Sequence, residues 1–260
     1  MVARQDRVPD QRESVERHSH VSALPELCPR ATYITGLWAS PPPRKVTSGH
    51  KVLLALGLAA EKHVVDAVLA QAGRHAVLGV WRCPCGDFSY QGFGKSHLLC
   101  RVCGRPADEH KQHTLRDDDA AIVGHPDLLL VVGAGALLVV EVKSMDGDAF
   151  NTLAAPHAEH VIQAHAYRRL AQKAGYAVTD VVSVVYVTKK FKFGHPYKEF
   201  HVGLNTGIET NLNLMWDTAL RTKLAFETDI IPPRLRGCAH PETPRAKNCV
   251  ACTECFLRTA

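Results

Sequence analysis

The sequence predicts an α/β fold with a metal-binding insertion and a cysteine-rich C-terminal tail, and three observations predict it. Apolar runs of strand length alternate with segments of helical periodicity. Residues 83–113 break that alternation, being rich in Cys, His and Gly and poor in aliphatic runs. The nine cysteines fall into two spaced sets and one isolated thiol, Cys28. With 260 residues, 46% hydrophobic and 22% charged, the chain can build one sizeable core plus an appendage, so disorder is not the default.

Residues 1–22 read as a disordered polar tail, because "MVARQDRVPDQRESVERHSH" has no apolar stretch of the kind a signal peptide needs. Residues 23–82 form the N-terminal part of the core. There "SALPELCPRATYITGLW" is a short helical or irregular segment carrying Cys28, and Pro41 to Pro43 break the chain. The helix "GHKVLLALGLAAEKHVVDAVLAQAG" places Leu53, Leu56, Gly57, Ala60, Val64, Ala67 and Val68 on one face, with Gly73 ending it. Residues 83–113 are the insertion and 114–230 the rest of the core: an apolar hairpin over 122–143, the helix "PHAEHVIQAHAYRRLAQKAG", strands at "DVVSVVYVTKKF" and "KEFHVGL", and a helix from about Thr210 to Leu224. Residues 231–260 are the cysteine-rich tail.

Composition narrows the partners. The longest nearly uncharged apolar run, Leu128 to Val140, is 13 residues with a Gly-Ala-Gly break, well short of the ~20 of a transmembrane helix. No membrane partner is expected, and a cytoplasmic location is. An odd cysteine count without a secretory signal points to a reducing compartment, where spaced thiols hold metal more often than they form disulfides. A net charge of +5 permits an anionic partner without demanding one.

The hairpin carries the chemistry. Asp127 opens its first strand, and Glu141 and Lys143 close the second, at the end of the run "HPDLLLVVGAGALLVVEVK". Buried charges without partners cost several kcal/mol or more, so these three must compensate one another or await a cation. A three-residue loop at Gly133 to Gly135 puts Asp127 opposite Glu141 on one face, with Lys143 on the same face; a loop of two or four residues separates them. Two carboxylates beside a lysine suit Mg²⁺ or Mn²⁺ and hydrolysis of a phosphodiester. Glu61 or His63, on the preceding helix, could supply the third ligand. Downstream, Gln163 and Tyr167 share a helix face at i and i+4, next to Arg168 and Arg169, a combination able to contact a nucleic-acid backbone.

The insertion offers a second metal site. "CPCG" and "CRVCG" supply Cys83, Cys85, Cys100 and Cys103, two knuckle-like turns suited to a tetrahedral structural Zn²⁺ in a zinc-ribbon-like module. Because the first pair has one intervening residue instead of two, His97, His110 or His113 could replace a cysteine.

In order, "GLAAEKH", "GHPD", "EVK" and "QAHAY" resemble the motif series of the PD-(D/E)XK nuclease superfamily, in its RecB-type branch. The resemblance spans about residues 23–255 and lies in the conjunction of motifs. It implies a restriction-endonuclease-like core, a central mixed sheet flanked by helices. It further implies that Asp127 and Glu141 bind metal, that Lys143 is the catalytic lysine, and that Gln163, Tyr167 and the adjacent Arg168 contact DNA. The branch usually carries histidine where this chain has Glu61, and related phage-type nucleases carry glutamate, so Glu61 is preferred to His63. Single-domain CRISPR-associated exonucleases of this branch hold a [4Fe-4S] cluster with one cysteine before the first motif and three at the C terminus. Here Cys28, Cys249, Cys252 and Cys255 match that pattern, with Cys238 as an alternative ligand, and a zinc site made by the four C-terminal cysteines as the competing reading. The function expected is therefore a metal-dependent deoxyribonuclease, an exonuclease acting on DNA ends or single strands. An endonuclease of the same fold, or a non-catalytic metal-stapled DNA-binding scaffold, are the alternatives. With no phosphate-binding glycine loop in the sequence, unwinding would fall to a partner helicase or recombination protein.

Overall fold

A computed structural model describes residues 18–36, 48–190, 195–249 and 251–257. Most of the expected tail and the proline break at Pro41 to Pro43 lie outside the described residues. In chain order the elements are β1 (Ser19–His20), α1 (Pro29–Thr35), α2 (Ser48–Ala72), β2 (Val77–Arg82), β3 (Ser89–Phe93), β4 (Glu109–Lys111), β5 (Leu115–Asp117), β6 (Ile122–Gly124), β7 (Leu128–Val132), β8 (Ala136–Met145), α3 (Gly147–Thr152), α4 (Ala158–Lys173), β9 (Val181–Thr188), β10 (Tyr197–Gly203), α5 (Thr206–Thr228), α6 (Pro244–Lys247) and α7 (Cys252–Leu257). No described helix is long and apolar enough to cross a membrane. The chain divides into two compact units. One comprises Met1–Pro43, Arg116–Val123 and Asn213–Ala260, the other Arg44–Leu115 and Gly124–Leu212.

The larger unit is a mixed seven-stranded sheet flanked by helices, ordered β10-β9-β8-β7-β2-β3 with β4 also paired to β2. Strands β2, β7 and β8 are antiparallel neighbours, whereas β8 and β9 are parallel. Parallel neighbours need a crossover, and α4 supplies it. Val64, Val65, Val68 and Leu69 of α2 pack on a core of Val77, Trp81, Leu128, Val140, Val142 and Val185. On α4, Val161, Ala164, Tyr167, Leu170 and Ala171 are buried, and the helix lies against β8 and β9. Strand β8 is thus covered on both faces, which is why its sequence reads as a continuous apolar run instead of an alternating one.

Three differences from the sequence reading have physical causes. The predicted face of α2 is half right: Leu53 and Leu56 are exposed, and only the second half of the helix packs on the core. The hairpin is Leu128–Met145, since Ile122–Gly124 leaves it to pair in parallel with Ser19–His20 in a small sheet ordered β1-β6-β5. Ser19, Ile122 and Val123 are fully buried there, so the described residues include a buried strand within the stretch assigned to the polar tail. Asp117 fixes the turn that makes this possible, accepting from the Trp216 indole at 2.7 Å and from the Ala120 N–H at 3.2 Å. Finally, the insertion is built into the main sheet, because β3 and β4 pair with β2 on either side.

Candidate active site and cysteine clusters

The β7–β8 register runs from Leu128↔Val140 to Val132↔Ala136. A three-residue loop, Gly133 to Gly135, therefore joins the strands, and both glycines take the positive φ its turn requires (53° and 96°). One step beyond the ladder, Asp127 falls opposite Glu141. The parity condition for a shared face is met, and Lys143 lies two residues on.

The charges are buried with few partners. Asp127 is 7% exposed and Glu141 2%. Asp127 Oδ2 accepts the Val142 backbone N–H at 2.7 Å, and Oδ1 accepts Gln112 Nε2 at 2.7 Å. The same amide nitrogen donates to Glu61 Oε1 at 3.1 Å, so Gln112 spans two carboxylates. Lys143 Nζ lies 2.5 Å from Glu141 Oε1, while Glu141 Oε2 is buried without a hydrogen-bond partner. Burial pushes the Asp127 carboxyl well above the usual range, and the charges of Glu141 and Glu61 push it further. Burial also raises Glu141, against the pull of Lys143. Two buried carboxylates with one lysine beside them are a donor set suited to a hard cation, and the orphaned Glu141 oxygen fits a metal ligand.

Of the other expected residues, Glu61 joins this group, whereas His63 is exposed; two residues apart on a helix, they point in different directions. Gln163 Nε2 donates to the Tyr167 hydroxyl at 2.9 Å. Tyr167 is 2% exposed, and burial, followed by the Glu141 charge, raises its pKa. With its ring enclosed, it is suited to hydrogen bonding more than to stacking on a base. Arg168 is not brought to the site. Its guanidinium is buried, donating to Thr179 O and pairing with Asp180 Oδ1, both at 2.5 Å, and so it ties α4 to the strand that follows.

The insertion's four thiols converge. Cys83, Cys85, Cys100 and Cys103 hold their sulfurs within 4.8 Å of one another, the only such set of three or more Cys, His, Asp or Glu ligand atoms among the described residues. Individual Sγ–Sγ distances are 3.2, 3.3 and 3.5 Å, compact enough for one tetrahedral ion. The backbone N–H of Arg105, then its guanidinium, holds Cys103 down to about 6. The histidines considered as replacements stay out of the set: His97 is exposed, His110 packs on Trp81, and His113 lies 3.4 Å from both Gln91 and Tyr176.

In the smaller unit, Cys28, Cys238, Cys249, Cys252 and Cys255 line one pocket. Pro29 begins α1 immediately after Cys28, and α7 carries Cys252 and Cys255 against that helix. Buried Arg30 donates Nε to Cys255 Sγ at 3.2 Å, a positive charge suited to an anionic thiolate assembly.

No protein-family model matches this chain, and no curated protein does. Among solved structures it is similar to the protein SSO0001, with 15% identity over 96% of this chain and 95% of that one and a TM-score of 0.38. It is also similar to the alkaline exonuclease LHK-Exo from Laribacter hongkongensis, at 11% identity, 83% and 93% coverage and a TM-score of 0.46. The same exonuclease in complex with dAMP gives 11%, 84%, 97% and 0.42.

Sequence reasoning missed three residues at the acidic site. Gln112 is one; no local pattern marks it, because its partners lie 15 and 51 positions away. His160 and Tyr186 are the others. His160 Nδ1 lies 2.8 Å from the Tyr186 hydroxyl, and Tyr186 is the β9 partner of Lys143. Burial, then the Lys143 charge, holds His160 down to about 4, so it stays neutral beside that lysine. The signal that could have found it is its place one turn before Gln163 on the same helix.

Proposed function

We propose that this chain is a metal-dependent deoxyribonuclease, an exonuclease acting at DNA ends or on single strands. The observation that carries the proposal is the opposed pair Asp127 and Glu141 at the buried end of the β7–β8 hairpin, with Lys143 beside them and Glu141 Oε2 unpartnered. Asp127, Glu141 and Glu61 would hold Mg²⁺ or Mn²⁺, which when bound activates water and polarises a phosphoryl oxygen. Lys143 supplies positive charge where negative charge develops on the scissile phosphate. Gln163 orients the Tyr167 hydroxyl, whose proton is free to meet a phosphate or sugar oxygen at the edge of the site. His63 and Arg168 have no part in this scheme.

The exonuclease preference rests on the motif resemblance and on the five-cysteine pocket. Cys28, Cys249, Cys252 and Cys255 would hold a [4Fe-4S] cluster, with Cys238 beside them. The motif resemblance is what supports a cluster there over a single zinc ion, and the five thiols lining one pocket are the ligands it would use. Cys83, Cys85, Cys100 and Cys103 would hold a structural Zn²⁺. DNA is the partner the motif resemblance implies, and a helicase or recombination protein would present the ends.

A second reading, a non-catalytic DNA-binding scaffold, has one observation in its favour: the close Lys143–Glu141 pair is also what a purely structural ion pair would show. Incubation with end-labelled linear DNA and closed circular single-stranded DNA, in Mg²⁺ or Mn²⁺, separates the readings. An exonuclease degrades only the linear molecule, an endonuclease opens the circle, and a scaffold binds both and cuts neither.

A further inference from the structure

We propose that Gln112 is the positioning residue of the acidic site, and that the four-cysteine module sits in this fold to deliver it. The proposal deepens the metal-dependent reading above and rests on it. Gln112 Nε2 donates to Asp127 Oδ1 and to Glu61 Oε1, and one amide nitrogen has the two hydrogens that both bonds need. The residue type matters. Lysine or arginine would also join two carboxylates, but each would bring a charge that competes with a cation. A glutamine amide joins them and leaves their negative charge intact. It thereby holds together two groups that repel each other and fixes which oxygen lone pairs remain for a metal.

The position is set by strand pairing. Strand β3 occupies one edge of β2 from Leu78 to Arg82. The other edge is shared: β7 pairs with Val77 and Leu78, and β4 with Val80 to Arg82. Continuing both registers by one residue brings Gln112 and Leu128 to the same place, opposite Gly79, so Gln112 leaves β4 next to Asp127. Gly79 permits the junction, because a Cβ there would lie 2.4 Å from His110 Nε2 and 3.0 Å from the Lys111 carbonyl.

Strand β4 has three residues and no length of its own to hold its place. The cysteines hold it. Cys83 and Cys85 follow directly on β2, and the Cys100–Cys103 knuckle, closed by the Cys100 N–H on Arg105 O at 2.8 Å, leads into β4. A metal on these four sulfurs closes the β2–β4 end that begins at Arg82↔Glu109, and so pins Gln112 at the acidic site.

The test is direct Mn²⁺ binding, followed by the electron paramagnetic resonance of free Mn²⁺, for the full chain and its Gln112→Ala, Asp127→Ala and Cys103→Ser variants. The Mn²⁺ dependence of DNA cleavage is measured beside it. Asp127→Ala should lose the site. Gln112→Ala should bind Mn²⁺ about tenfold or more weakly, and cleavage should recover most of its maximal rate once Mn²⁺ is raised, a split that general loss of structure would not give. Cys103→Ser should weaken Mn²⁺ binding by a similar factor and add nothing in the Gln112→Ala background. Wild-type Mn²⁺ affinity in Gln112→Ala overturns the role of Gln112. An added loss on combining the two variants overturns delivery by the cysteine module. Wild-type binding in Asp127→Ala instead overturns the acidic metal site itself, so the two failures are distinguishable.

Discussion

Asp127 and Glu141 are carboxylates that their surroundings work against, and that fact has a pH signature. Both are raised from their ordinary values, chiefly by burial. A carboxyl raised on folding contributes stability that is fully present below its unfolded pKa and is lost as pH rises through its folded pKa. The ion-free protein should therefore lose stability from about pH 4 upward. A divalent cation that neutralises the pair should restore it, and the restoration should grow with pH. Thermal melts with and without Mn²⁺ across pH 5 to 8 check this; an Mn²⁺-induced shift that does not change with pH would count against a cation on these residues. The same burial is what made Asp127, Glu141 and Lys143 legible in the sequence, since charges at the end of so apolar a run demand a reason. Gln112 was illegible for the opposite cause: a glutamine after a cysteine-rich stretch is ordinary until β4 and β7 are known to meet.

At the scale of elements, the hairpin loop and one helix glycine place the site. The Gly133 to Gly135 loop sets the parity that opposes Asp127 to Glu141, and its glycines made the turn readable in the sequence. Helix α2 must approach β8 closely for Glu61, one turn after Gly57, to reach the same group. A Cβ on Gly57 would already lie 3.1 Å from Ser144 Oγ. Gly57→Val should thus push the helix away, costing about 1–3 kcal/mol of stability and lowering cleavage further than Gly57→Ala, which Ser144 can accommodate by rotating. Chemical denaturation and initial rates on the two variants test the order. Pairing between distant segments was the poorly legible part. Nothing in "AIVGHPD" says that Ile122–Gly124 will leave the hairpin for Ser19–His20, because parallel pairing of short strands leaves no local pattern.

At the scale of the molecule, two units each organise a set of cysteines, and both sets were readable because thiol spacing is a sparse and chemically specific signal. Their assignment predicts composition: after anaerobic purification, about one zinc and about four irons per chain. Cys28→Ala should abolish the iron and its visible absorbance and leave the zinc, whereas Cys100→Ala should do the reverse. About two zincs and no iron, with no metal lost from Cys28→Ala, would identify the second set as a zinc site made by the C-terminal cysteines. The proposed function itself lies in neither cysteine set but in the carboxylates of the hairpin. Its most direct test is the single-turnover cleavage of end-labelled linear DNA in Mn²⁺ by the protein and by Asp127→Ala, with melting temperature and metal content measured on both. The prediction is a loss of at least about a thousandfold in rate with fold and cysteine-bound metal retained. Cleavage by Asp127→Ala at the wild-type rate would contradict it.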